Sequence, residues 1–155
     1  MVCIARKQIK PKYTMKTFIQ IFTLACGIML MAFSNSYAQT KTHKLLIDLN
    51  SADTTDQGTM MRQIRNLWKE LPGTQVEVLI HGPAIAFIKK DTSPYALQIE
   101  KLQKDGVVFA VCRNTMKRYK LADTDLLPTA SFVPSAIAET VLKQEEGWSY
   151  QKAGH

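Results

Sequence analysis

Cysteine is nearly absent from this chain. Three occur in 155 residues, and beyond residue 38 only Cys112 remains. With Cys3 and Cys26 removed in the expected signal segment, one thiol cannot close an internal disulfide, and no covalent staple is expected. Soft metal ligands are equally sparse. Beyond residue 38 they are His43, His81, His155 and Cys112, none at ligand spacing, which leaves no sequence-defined metal site. No Gly-x-Ser-x-Gly elbow occurs, and no glycine-rich turn followed by Lys and Ser or Thr, so neither a serine hydrolase nor a phosphate loop is indicated and no cofactor is implied. Internal repeats and low-complexity tracts are also missing.

Acidic residues are missing from one region, residues 1–38, which carries five of the 20 basic residues and none of the 13 acidic ones. Arg6, Lys7, Lys10, Lys12 and Lys16 precede an apolar run from Phe18 to Phe33, and Ser34-Asn35-Ser36-Tyr37-Ala38 follows. That order is the signature of a secretory signal peptide, with Ser36 and Ala38 at positions −3 and −1 of a cut before Gln39. Met15 is an alternative start giving a shorter basic region. An uncleaved anchor is the second reading, but the apolar run is short of the roughly 20 residues a spanning helix needs. A lipid-modified Cys26 ranks third, because apolar residues continue past it. The expectation is a periplasmic or secreted bacterial protein with no stable membrane span after cleavage. Residues 39–155 then form a single domain with 15 basic residues against 13 acidic ones, a net charge of +2 where the whole chain has +7. No basic stripe with interleaved aromatics remains, so nucleic-acid binding is not indicated.

Beyond Gln39, strand and helix patterns alternate. Apolar runs predict strands at 44–49, 75–80, 107–111 and 130–133, with a last edge strand at 148–150. Apolar residues at helical spacing predict helices at 58–71, 84–90, from Tyr95 to Asp105-Gly106, 113–119, and after Pro134-Ser135 to an end at Glu145-Glu146-Gly147. Asp53, Thr54, Thr55 or Asp56 would cap the first helix, and Pro83 suits the first turn of the second. Residues 123–125 read as a loop. Strands alternating with helices argue for a mainly parallel sheet of four to five strands covered on both faces.

Ligands in such sheets bind beyond the carboxyl ends of the strands. His81 follows the second strand and Cys112 the third, so both fall on one rim. A cysteine between a strand and a helix feels the positive helix end, which favours the reactive thiolate. Arg113 adds a neighbouring cation, and Asn114 and Thr115 offer hydrogen bonds. Gly82 permits a sharp turn beside His81. The alternative is a buried, inert Cys112 and a His81 bonded only to backbone. Asp48, Asp53 and Asp56, near the end of the first strand, could line the same rim but read best as solvated loop carboxylates and helix caps. Met60 and Met61 read as packing, and Trp148 and Tyr150 as cover for an edge or a subunit contact.

Taken together, Ile80-His81-Gly82-Pro83, Leu102 to Phe109, Cys112-Arg113-Asn114-Thr115-Met116, Pro134-Ser135-Ala136 and Glu146-Gly147-Trp148-Ser149-Tyr150 resemble the DsrE/DsrF-like family. The resemblance spans about Lys44 to Tyr150. It implies a three-layer α/β/α sandwich and a homo-oligomer. Some members of that family relay sulfane sulfur as a persulfide on a cysteine placed after a strand, the position of Cys112. The export signal departs from the cytoplasmic relay members. The leading expectation is therefore an exported persulfide carrier using Cys112 and His81, with Gly82, Arg113, Asn114 and Thr115 as binding residues. A sulfur donor or acceptor protein would be its partner. The alternative is a non-catalytic oligomeric module holding a small ligand at the same rim.

Overall fold

The computed structural model describes residues 15–16 and 42–154. The expected signal segment lies outside the described residues except for Met15 and Lys16. All elements below belong to the unit Lys41–His155.

Five strands form one sheet: β1 (Lys44–Leu49), β2 (Gln75–Ile80), β3 (Val108–Cys112), β4 (Ala130–Val133) and β5 (Ser149–Ala153). Their order is β4-β3-β2-β1-β5, and every pairing is parallel. The helices are α1 (Thr54–Glu70), α2 (Ala96–Lys104), α3 (Arg113–Tyr119) and α4 (Ala136–Glu145). The chain steps from β1 to β4 in one direction, then crosses back to place β5 outside β1. Right-handed crossovers put the connections of the first three steps on one face and that of the last step, α4, on the other. The buried side chains separate in the same way. Met60, Ile64, Phe87, Ile99 and Met116 pack with Ile47, Val78, Ile80, Phe109 and Val111 on the first face. Leu46, Leu79, Ala110, Cys112 and Ala136 form a smaller cluster on the second. The result is an α/β/α sandwich, thick on one side and covered by one helix on the other.

Several elements differ from the sequence pattern for identifiable reasons. Helix α1 starts at Thr54, a turn earlier than expected, because the Asp53 carboxylate accepts a hydrogen bond from Thr55 N–H at 2.6 Å and caps it. Gly58 sits inside this helix because it lies against Tyr95, whose hydroxyl oxygen would stand 3.1 Å from an added Cβ. The segment expected as a helix at 84–90 is a 3-10 helix, Gly82–Ile88, with Pro83 in its first turn. It buries Ala84, Ile85, Phe87 and Ile88 and connects longer elements, as 3-10 segments often do. Asp123–Asp125 forms a 3-10 turn rather than a plain loop. Strand β5 runs to Ala153, past the expected 148–150. As an edge strand that is largely exposed apart from Ala153, it carries a polar sequence that hides its length.

Among the described residues, no helix is long and apolar enough to cross a membrane.

Candidate functional site

The strands end together on one rim, and alternation along each strand sorts their side chains between faces. On the second face stand Leu46 and Asp48 of β1, Leu79 of β2, Ala110 and Cys112 of β3, Val133 of β4, and Tyr150 and Lys152 of β5. Ile80 pairs with Val111, so His81, whose backbone stays extended at φ −151°, lies level with Cys112 on the neighbouring strand. The expected sharing of a rim by thiol and imidazole is thus a sharing of one face as well.

Cys112 is both the last residue of β3 and the N-cap of α3. The chains leaving β3 and β4 depart to opposite faces, so Cys112 sits at the switch point where open parallel sheets form their crevice. The thiol is 4% exposed. Its Sγ accepts the Ala136 N–H at 3.3 Å from the head of α4. Burial pushes the thiol pKa up. The N–H groups of Thr115, Ala136 and Asn114 and the Thr115 hydroxyl outweigh this and hold it below the ordinary thiol value.

His81 is held by its neighbours on the other side. Its Nε2 lies 2.5 Å from Asp48 Oδ1, and the second carboxylate oxygen, Oδ2, accepts the Tyr150 hydroxyl at 2.8 Å. Burial acts to raise the Asp48 pKa, but bonds from His81 and Tyr150 keep it below the usual carboxylate value. The carboxylate in turn raises the Tyr150 phenol.

Beside His81 lies a cavity of about 310 Å³ lined by Asn50, His81, Gly82, Pro83, Asn114, Thr115 and Arg118, and Cys112 is not part of that lining. Gly82 has φ +56°, and its N–H donates to Thr115 Oγ1 at 3.0 Å. A Cβ there would stand 2.2 Å from Asn50 Oδ1. Thr115 therefore links the turn at Gly82 to the surroundings of Cys112.

The fold thus gathers Cys112, His81, Gly82, Asn114 and Thr115. Arg113 points elsewhere: its guanidinium is paired with Asp123, with Nη2 at 3.0 Å from Oδ2, and lies 3.9 Å from the Phe132 ring centroid. Arg118 is a member that the sequence did not single out, and Asp48 and Tyr150, expected as a solvated carboxylate and as edge cover, are instead bonded to each other beside His81. One signal was present for Asp48, a charge that interrupts the apolar run after Lys44 near the end of its strand. The other aspartates do act locally: Asp53 caps α1, and Asp56 accepts from Ser51 Oγ at 2.6 Å. Among the described residues, no three His, Cys, Asp or Glu side chains cluster as a metal set requires.

Comparisons with known proteins agree with the architecture. A protein of unknown function from Methanobacterium thermoautotrophicum superposes with a TM-score of 0.69 at 25% identity, covering 71% of this chain and 98% of its own. A conserved protein of unknown function from Bacteroides thetaiotaomicron gives a TM-score of 0.57 at 15% identity, covering 75% of this chain and 99% of its own, a likeness of fold. No curated protein matches the sequence. Residues 42–151 match the DsrE/DsrF-like family, a range that takes in every strand and helix of the sandwich except the end of β5, and the chain belongs to that family.

Proposed function

We propose that this chain is an exported sulfur carrier that holds sulfane sulfur as a persulfide on Cys112. The observation that carries this reading is the setting of Sγ at the switch point, accepting the Ala136 N–H at 3.3 Å with N–H groups of the first turn of α3 close by. Such a setting stabilises the thiolate, the attacking form. The thiolate attacks the outer sulfur of a persulfide R–S–SH. The donor S–S bond breaks, R–S⁻ leaves with the bond's electron pair, and Cys112 becomes –S–SH with no net oxidation. The reverse step passes the sulfur to an acceptor thiolate, so the protein is a carrier more than a turnover enzyme. Cys112 is 4% exposed, so a donor must gain access to a buried Sγ, which native alkylation set against that in denaturant measures. Residues 1–38 direct export to the periplasm or beyond and are removed before Gln39. Homo-oligomerisation is supported by α4, which turns Ile137, Val141 and Leu142 outward, Ile137 at 73% exposure.

The test is an intact mass after incubation with a low-molecular-weight persulfide. The expected result is a gain of one sulfur atom that is absent in Cys112→Ala. No gain, together with native alkylation far slower than in denaturant, removes the carrier reading.

A second reading, a small-ligand module, is favoured by the cavity itself. Its lining includes Arg118, two asparagines and His81 and no carboxylate, a chemistry suited to a small anion. Thermal stabilisation by small anions in Cys112→Ala, without sulfur loading of the wild type, would select it.

A further inference from the structure

We propose that Asp48, fixed by Tyr150 from the edge strand, is a positioning residue that orients His81 to exchange the proton of Cys112 during sulfur transfer. The inference rests on the carrier reading and adds the residues that serve the thiol.

An ionised carboxylate only accepts hydrogen bonds. Asp48 Oδ2 receives the Tyr150 hydroxyl at 2.8 Å, and Oδ1 lies 2.5 Å from His81 Nε2. Nε2 must therefore carry the hydrogen of that contact, which leaves the Nδ1 lone pair as the basic site of a neutral ring. His81 lies between its two partners in the sheet. Asp48 on β1 is on one side, and Cys112 on β3, level with it and on the same face, is on the other. Adjacent strands run about 4.8 Å apart, and since no hydrogen bond joins His81 to Cys112 among the described residues, the proton passes between them through one water.

In the forward step Cys112 gives its proton to Nδ1, and Asp48 stabilises the resulting imidazolium. After the donor S–S bond breaks, the imidazolium returns that proton to the leaving R–S⁻. No oxidant or reductant enters. The groups facing this relay are Asp48 from β1, Tyr150 and Lys152 from β5, Arg118 from α3 across the cavity, and Cys112 itself. Tyr150 is 42% exposed, so its phenol is held on an open edge where packing asks little of it. Its bond to Asp48 is then its principal polar role.

The experiment measures the alkylation rate of Cys112 and its sulfur loading across a pH series, in the wild type, Asp48→Asn, His81→Gln, the double variant and Tyr150→Phe. Urea midpoints verify that each variant folds. Asp48→Asn is expected to move the alkylation profile to higher pH and slow the reaction near neutrality at least about tenfold. Tyr150→Phe gives a smaller shift in the same direction, and the double variant is no slower than His81→Gln alone, because Asp48 acts through His81. If Asp48→Asn does not fold, Tyr150→Phe carries the test. Profiles of the Asp48 and Tyr150 variants that superimpose on a wild type that loads sulfur overturn the relay alone. So do Asp48 and His81 effects that multiply. A wild type that takes up no sulfur overturns the relay and the carrier reading together.

Discussion

Replacing Gly82 with alanine separates two effects that the structure makes countable. Gly82 has φ +56° and Gly73 has φ +80°. An added Cβ at Gly73 meets nothing within 4 Å, whereas at Gly82 it would stand 2.2 Å from Asn50 Oδ1. A left-handed backbone burdens alanine with about 1–2 kcal/mol. The stiffer unfolded chain returns roughly 0.4–1 kcal/mol of this. Gly73→Ala should therefore lose about 1 kcal/mol. Gly82→Ala carries the same strain and must also turn the exposed Asn50 side chain aside, adding about 0.5–1.5 kcal/mol if it leaves its rotamer. If the turn shifts, the Gly82 N–H bond to Thr115 is lost as well, for about 1 kcal/mol more. The expected total is about 2–3 kcal/mol. Urea denaturation of the two variants, and of Gly82→Ala in an Asn50→Ala background, measures each part. The double variant should recover the Asn50 contribution and leave the strain. Because Thr115 joins this turn to the thiol, Gly82→Ala should also change the alkylation rate of Cys112, and Gly73→Ala should not. Equal losses at the two glycines, with Cys112 unaffected by either, would refute the reasoning.

Two further predictions address buried charge and pH. Lys143 Nζ lies 2.9 Å from Oε2 of the buried Glu77, beneath α4, so Lys143→Met should destabilise by about 3–5 kcal/mol. Glu77→Gln combined with Lys143→Met should recover most of that loss in the same urea assay, and a single variant as stable as wild type would contradict the pairing. The Cys112 pKa is lowered in the folded state, so its thiolate contributes stability that is complete above the unfolded thiol value, roughly 8.5. This contribution is lost as pH falls through the lower folded value. The difference in melting temperature between wild type and Cys112→Ser should therefore widen from neutral to alkaline pH. A difference independent of pH would contradict it.

The layered fold was legible because each strand and helix carries its own periodicity. Strands 44–49, 75–80 and 130–133 were readable to the residue. The 3-10 segment after His81 was not, because a short apolar run such as Ala84-Ile85-Ala86-Phe87-Ile88 fits either winding. The rim positions of His81 and Cys112 were legible from the strand ends alone. The Asp48–Tyr150 bond was not. It joins residues 102 apart in sequence, and only the pairing of β1 with β5 brings them together. Arg113 shows the converse. Adjacency in sequence placed a cation beside the thiol, but Asp123 and Phe132 offer the guanidinium a carboxylate and a ring on another side.

The strand order has a consequence for biosynthesis. The phenol that steadies the Asp48 carboxylate comes from β5, the last strand to be translated, yet β5 docks against β1, the first. The ribosome therefore delivers thiol, imidazole and carboxylate well before the hydroxyl. A chain lacking β5 would carry Cys112, His81 and Asp48 without the hydroxyl, so under the proposed relay the arrangement is complete only once the first and last strands of the domain have paired.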